Sequence, residues 1–246
     1  MAKSLERLDK LLVDKGFATS RERAQSLILA AKVLVNGQLL TKAGQRVSED
    51  SEIRVISDAI AYVSRGGLKL EHAIRAFSIP VSGRTAMDVG ASTGGFTDCL
   101  LSFGARKVYA VDVGYGQLDL KLRNDPRVIL LERRNIRHLP PELVPEPVQI
   151  ATIDTSFISL KLVIPSVLKF LETGATVIAL IKPQFEAGRK QASKGAGVIR
   201  DVKIHEEVCV SLADFVIGLG FKMTGIVPSP ILGPKGNREF LMAVVF

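Results

Sequence analysis

The sequence predicts an α/β protein: a doubly wound, mostly parallel sheet with a terminal antiparallel hairpin, preceded by a small α+β unit. Three observations carry this reading. From about residue 84 short apolar strands alternate with helical stretches. The last strand, "NREFLMAVVF", follows the one before it through a Pro- and Gly-rich turn with no helix between them. The first 60 residues differ from the rest in both periodicity and charge. The expected divisions are 1–60 for the front unit, 61–83 for a junction with the first helix of the main unit, and 84–246 for the sheet.

In the front unit Leu5, Leu8, Leu11 and Leu12 recur at helical spacing until Gly16 interrupts them, which predicts a short amphipathic helix. Thr19 and Ser20 supply an N-cap for a second helix with Ala24, Leu27, Ile28 and Ala31 on its apolar face. "VLVNGQLL" is an Asn-Gly hairpin, and "EIRVI" adds a strand. Residues 1–48 hold nine Lys and Arg against four Asp and Glu, a net of +5 out of +8 for the chain. Such an excess points to a polyanionic partner.

The segments "RLDKLL", "SRERAQSLI" and "VLVNG" resemble, in order and spacing, the S4-like domain first named from a small-subunit ribosomal protein. That resemblance implies RNA held by phosphate contacts and shape. The residues expected to bind it are Arg7, Lys10, Arg21, Arg23 and Lys32, with Arg65 in the basic turn of the junction.

Several function classes are set aside. The longest apolar stretches, such as "VIALI", fall far short of the roughly 20 residues that span a bilayer, and no signal-like apolar segment follows Met1. The expected setting is the cytoplasm. Cys99 and Cys209 are far apart in apolar contexts, as buried thiols are, and His72, His138 and His205 stand singly, so no metal site is expected.

In the main unit "TAMDVG", "KVYAVDVG", "RVILLE", "PVQIATIDTSF" and "ATVIALIKPQF" read as successive strands, with helices such as "GGFTDCLLSF" and "HEEVCVSLADFVIGLG" between or after them. Ligands of such sheets bind at the carboxyl ends of strands beside the switch in strand order. The loop "DVGASTGG" lies there. Its glycines permit close backbone approach, and Asp112 ends the next strand, where a carboxylate accepts hydrogen bonds from a ribose diol. A dinucleotide site shares these features, but the loop lacks G-x-G-x-x-G, Asp88 precedes the first glycine, and the terminal hairpin is foreign to that sheet. The pattern resembles the S-adenosylmethionine site of class I methyltransferases. The resemblance implies cofactor contacts from Asp88, Gly90, Ser92, Gly94, Gly95, Phe96, Asp112, Asn135 and Asp154.

The acceptor is argued from what the sequence lacks and has. The position where amine methyltransferases carry two prolines reads "DTSF", and neither cysteine ends a strand, which disfavours amine and pyrimidine-carbon methylation. A ribose hydroxyl needs a hydrogen-bond acceptor or base, and a lysine serves when burial and neighbouring positive charge favour its neutral form. Lys182 ends the apolar strand "TVIALIK". Lys69, Asp154, Lys182 and Glu239 resemble the Lys-Asp-Lys-Glu tetrad of FtsJ-like RNA ribose 2'-O-methyltransferases. That implies Lys182 as base or hydroxyl-orienting group, Asp154 and Lys69 setting its charge state, and Glu239 holding the network.

Together with "YVSRGGLKL", "LIKPQFE" and "NREFL", these segments resemble the TlyA or hemolysin A family across nearly the whole chain. The resemblance implies 2'-O-methylation of cytidine in ribosomal RNA of one or both subunits, with the short termini closer to the large-subunit form. A non-catalytic RNA-binding assembly factor is the alternative. Membrane lysis, suggested by the family's second name, finds no spanning segment.

Overall fold

The computed structural model describes residues 5–18, 20–29, 32–55, 62–188 and 197–246. The chain divides into two compact units, Met1–Ala59 and Ile60–Phe246.

The front unit runs β1 (Leu5–Arg7), α1 (Leu8–Asp14), α2 (Arg21–Leu29), β2 (Val33–Val35), β3 (Gln38–Leu40), β4 (Arg46–Ser48) and β5 (Ile53–Val55). Leu8, Leu11, Leu12, Ala24 and Ile28 close its core. Leu5 departs from the sequence expectation: it is 55% exposed and lies in β1, paired antiparallel with β4, so the helix begins three residues later. Helical spacing cannot separate one residue ahead of a helix from its first turn. The hairpin of β2 and β3 turns on Asn36 and Gly37, both at positive φ, as an Asn-Gly turn requires. Ser20 Oγ accepts from the backbone N–H of Arg23 and caps α2. Thr19 and Ala31 lie outside the described residues.

The main unit continues with α3 (Gly66–Ala76), β6 (Thr85–Val89), α4 (Gly95–Ser102), β7 (Lys107–Val111), α5 (Leu120–Arg123), β8 (Val128–Leu131), β9 (Val148–Ile153), α6 (Leu160–Val167), β10 (Leu171–Ile181), α7 (Pro183–Glu186), α8 (Val202–Gly218), β11 (Lys222–Pro228) and β12 (Phe240–Val245). Seven strands lie in the order β11-β12-β10-β9-β6-β7-β8. β6 to β10 pair in parallel, whereas β12 is antiparallel to both β10 and β11.

Alternation along β6 separates two cores: Met87 and Val89 face α6 and α8, and Ala86 faces α3 and α4. The expected terminal hairpin is present, with β12 inserted between β10 and β11. That insertion positions the site. Because β12 runs against its neighbours, its beginning lies at the edge where β6, β9 and β10 end.

Candidate active site

At that edge strand order reverses around β6, and the loops after β6, β7, β8 and β9 enclose a cleft of about 490 Å³. Gly90, Ser92, Asp112, Asn135 and Asp154 line it, together with Val111, Val113 and Ile136. Asp112 is held by two backbone donors, its Oδ2 accepting from Ser92 N at 2.7 Å and its Oδ1 from Gly114 N at 2.6 Å.

The bare backbone of the loop has a second reason. A Cβ on Gly90, whose φ is +88°, would lie 2.5 Å from the Asp154 carbonyl oxygen, and one on Gly95 would lie 2.1 Å from Ser64 Oγ. Much of the demand for glycine thus comes from the protein packing on itself. Gly94 sits beneath Leu118 and Leu122 and caps α4 in a left-handed conformation.

Asp88 is in neither the cleft nor the adjoining basin. Wholly buried under the loop, it accepts from Thr97 Oγ1 at 2.7 Å and Thr152 Oγ1 at 3.0 Å, tying α4 to β9. Burial, helped by the nearby Asp154 charge, pushes its pKa up to about 7, against the lowering effect of the hydroxyl bonds and the Thr97 backbone N–H.

Next to the cleft, and sharing Gly90, Ser92, Asp154 and Ser156 with it, is a polar basin of about 230 Å³ lined by Lys69, Lys182, Glu239, Gly95 and Phe96. All four residues of the expected tetrad meet here. Lys69, on the first turn of α3, places Nζ 2.6 Å from Glu239 Oε2, and the Glu239 side chain is 0% exposed. Lys182, directly after β10, places Nζ 2.6 Å from Asp154 Oδ1 and also donates to the Thr155 carbonyl and Ser156 Oγ, both at 3.0 Å. Each lysine is therefore matched by its own carboxylate: Asp154 stands against Lys182, as the sequence suggested, and Lys69 is paired with Glu239. Glu239 Oε1 and Thr155 Oγ1 are buried without a hydrogen-bond partner among the described residues.

Sequence reasoning did not single out Ser156, Thr155, Gln117 or Val113 as site residues. The first two stand beside Asp154 in "DTSF", and their signal was adjacency to a strand end.

In the front unit Arg7 and Arg21 converge on the wholly buried Asp9, at 2.9 and 3.1 Å, with Gln25 Nε2 at 3.0 Å. Hydrogen bonds from Arg7, then Gln25 and Arg21, hold the Asp9 carboxyl well below the usual range. Lys10 pairs with Glu6, and Arg23 and Arg65 are exposed. Lys32 is half-buried. Among the described residues no cluster of three or more His, Cys, Asp or Glu could hold a metal, and no helix is long and apolar enough to cross a membrane.

The chain is a methyltransferase of the FtsJ-like class: the family model of that description matches residues 62–246, and an S4 domain matches residues 6–53. The 16S/23S rRNA (cytidine-2'-O)-methyltransferase TlyA of Mycobacterium tuberculosis is 44% identical over 237 residues, covering 96% of this chain and 88% of the relative. Hemolysin A of Brachyspira hyodysenteriae is 44% identical over 236 residues, covering 96% and 98%. A solved structure named as a candidate hemolysin, from Streptococcus thermophilus, superposes with a TM-score of 0.77 at 43% identity, covering 99% and 89%. The chain belongs to the TlyA or hemolysin A family of S4-containing, FtsJ-like methyltransferases.

Proposed function

We propose that this chain transfers a methyl group from S-adenosylmethionine to the ribose 2'-hydroxyl of a cytidine in ribosomal RNA. The observation that carries the reading is the convergence of the Lys69–Glu239 and Lys182–Asp154 pairs on one basin beside the cleft. Its nucleoside and RNA class rest on the relatives' substrates and on the S4 domain.

The residues present fit the methyl donor. The cleft has the size of a small-molecule site, Val111, Val113 and Ile136 offer apolar walls for a purine, and Asp112 is an acceptor for a ribose diol. Bound there, S-adenosylmethionine supplies an electrophilic sulfonium methyl. The protein's part is to hold a hydroxyl in line with it and to receive that hydroxyl's proton.

Lys182 makes three hydrogen bonds, as many as an ammonium can donate. A hydroxyl entering the basin therefore replaces one of them, and Ser156 Oγ is the partner that turns away without moving backbone. With all three Lys182 N–H groups donating, the Asp154 carboxylate is the member of the pair that receives the proton the hydroxyl releases, while Lys182 orients the hydroxyl. Lys69, fixed by Glu239, faces the same basin and stabilises negative charge growing on the ribose oxygen.

The test uses the full chain, an isotopically labelled methyl donor and unmodified small and large ribosomal subunits in separate arms, with nucleosides identified by mass spectrometry. Label in 2'-O-methylcytidine from either subunit is the expected result. Label on a base overturns the reading. RNA binding with no transfer in either arm returns the assembly-factor role.

A further inference from the structure

Apart from the cleft and the basin, a groove of about 590 Å³ lies between the start of α8 and the β11–β12 hairpin. Its walls are mostly apolar, with Val202 63% exposed and Leu232 54% exposed. Part of its lining is an aromatic pair, His205 edge-on to Phe240 at 5.6 Å, with His205 further fixed by Nε2 against the Ile199 carbonyl at 3.0 Å. Arg200 and Arg238 line it, both exposed and neither in an ion pair among the described residues; Glu206 is a lining carboxylate. Methyl transfer as derived above uses none of these groups.

The groove shares a wall with the tetrad. Arg238 and Phe240 line the groove while Glu239, between them, lines the basin, as alternation along an extended chain dictates. The preceding turn does the same, with Leu232 and Gly236 on the groove and Pro234 on the basin. Groove and basin are therefore neighbours across the segment 232–240. Apolar and aromatic surface edged by two exposed guanidinium groups matches an unstacked base with its phosphates.

Resting on the reading above, we propose that this groove binds a nucleotide flanking the methylated one, its base against Phe240 and Leu232 and its phosphates on Arg200 and Arg238. The groove is a second RNA contact, separate from the front unit and from the target pocket.

The test measures single-turnover methylation and equilibrium binding of ribosomal subunits by the full-length chain carrying both Arg200→Met and Arg238→Met. The half-saturating subunit concentration should rise about tenfold with the maximal rate within about twofold. The salt dependence of binding should lose about 1.4 units of slope, the share of two single-strand phosphates. Unchanged half-saturation and slope overturn the proposal. A photo-crosslinking benzoylphenylalanine at position 232 gives a second reading that does not depend on methylation. Crosslinks within about two nucleotides of the target support the groove. Crosslinks to ribosomal protein or to another copy of the chain overturn it. Loss of transfer in the parent protein would instead defeat the functional reading, leaving binding and crosslinking to judge the groove.

Discussion

Asp9 in the front unit and Asp88 in the main unit are both 0% exposed, yet their surroundings push them in opposite directions. Asp9 is met by two guanidinium groups that reach in from the surface, and its carboxyl titrates well below the ordinary range. Asp88 meets two hydroxyls and the Thr97 backbone N–H, and burial pushes it up to about 7. In the front unit buried charge is neutralised by partners that remain half in water, so it fastens α1 to α2. The main unit instead has buried charges at and beneath the edge that carries the cleft and the basin, with Glu239 Oε1 and Thr155 Oγ1 unpartnered among the described residues. The first arrangement fastens helices together, and the second is the one we propose acts in methyl transfer.

That contrast predicts that losing a charge costs rate in one unit and stability in the other. The largest effect is expected for Lys182→Met, which should slow single-turnover methyl transfer by roughly 10² to 10⁴-fold while binding of cofactor and RNA changes little. Asp9→Ala should leave calorimetric cofactor binding unchanged but destabilise the front unit by about 2 kcal/mol in denaturant unfolding, since it removes a buried acceptor from partners that water can still reach.

The two aspartates should also give opposite pH dependences. Asp9, lowered in the folded state, contributes stability above its unfolded value, lost as the pH falls below about 4; Asp9→Asn should remove that loss. Asp88, raised from 3.8 to about 7, favours folding in acid, and that contribution is lost as the pH climbs between these values. Asp88→Asn should flatten that decline in thermal unfolding measured from pH 4 to pH 8. The smallest effect is expected from Ser156→Ala: if Ser156 only keeps the place of the incoming hydroxyl, the maximal rate should fall no more than about tenfold. A loss as large as that of Lys182→Met would show that Ser156 itself acts on the hydroxyl.

What the sequence made legible was mostly what strand ends dictate. Asp154 and Lys182 follow parallel strands, Glu239 precedes an antiparallel one, and Lys69 begins a helix, so chain order alone brought them to one edge. The role of Asp88 was hidden because its partners, Thr97 and Thr152, come from different elements and carry no motif. Gly95 looked like a ligand-facing glycine, although Ser64, more than 30 residues earlier, is what excludes its Cβ. Leu5 followed the helical spacing of Leu8 but pairs with Ser48 as a strand residue, a long-range contact that periodicity cannot carry. The groove on the far side of Glu239 joins α8 to the hairpin and had no local signature.

The central claim is that the two lysine–carboxylate pairs act on one hydroxyl as a unit. Single-turnover methyl transfer to ribosomal subunits by Lys182→Met, Glu239→Gln and the double variant tests it most directly, with thermal unfolding measured alongside to confirm that each is folded. Groups acting as a unit are non-additive, so the double variant should be no slower than Lys182→Met alone by more than about threefold. Losses that multiply, or a Glu239→Gln rate equal to that of the parent, would contradict the account.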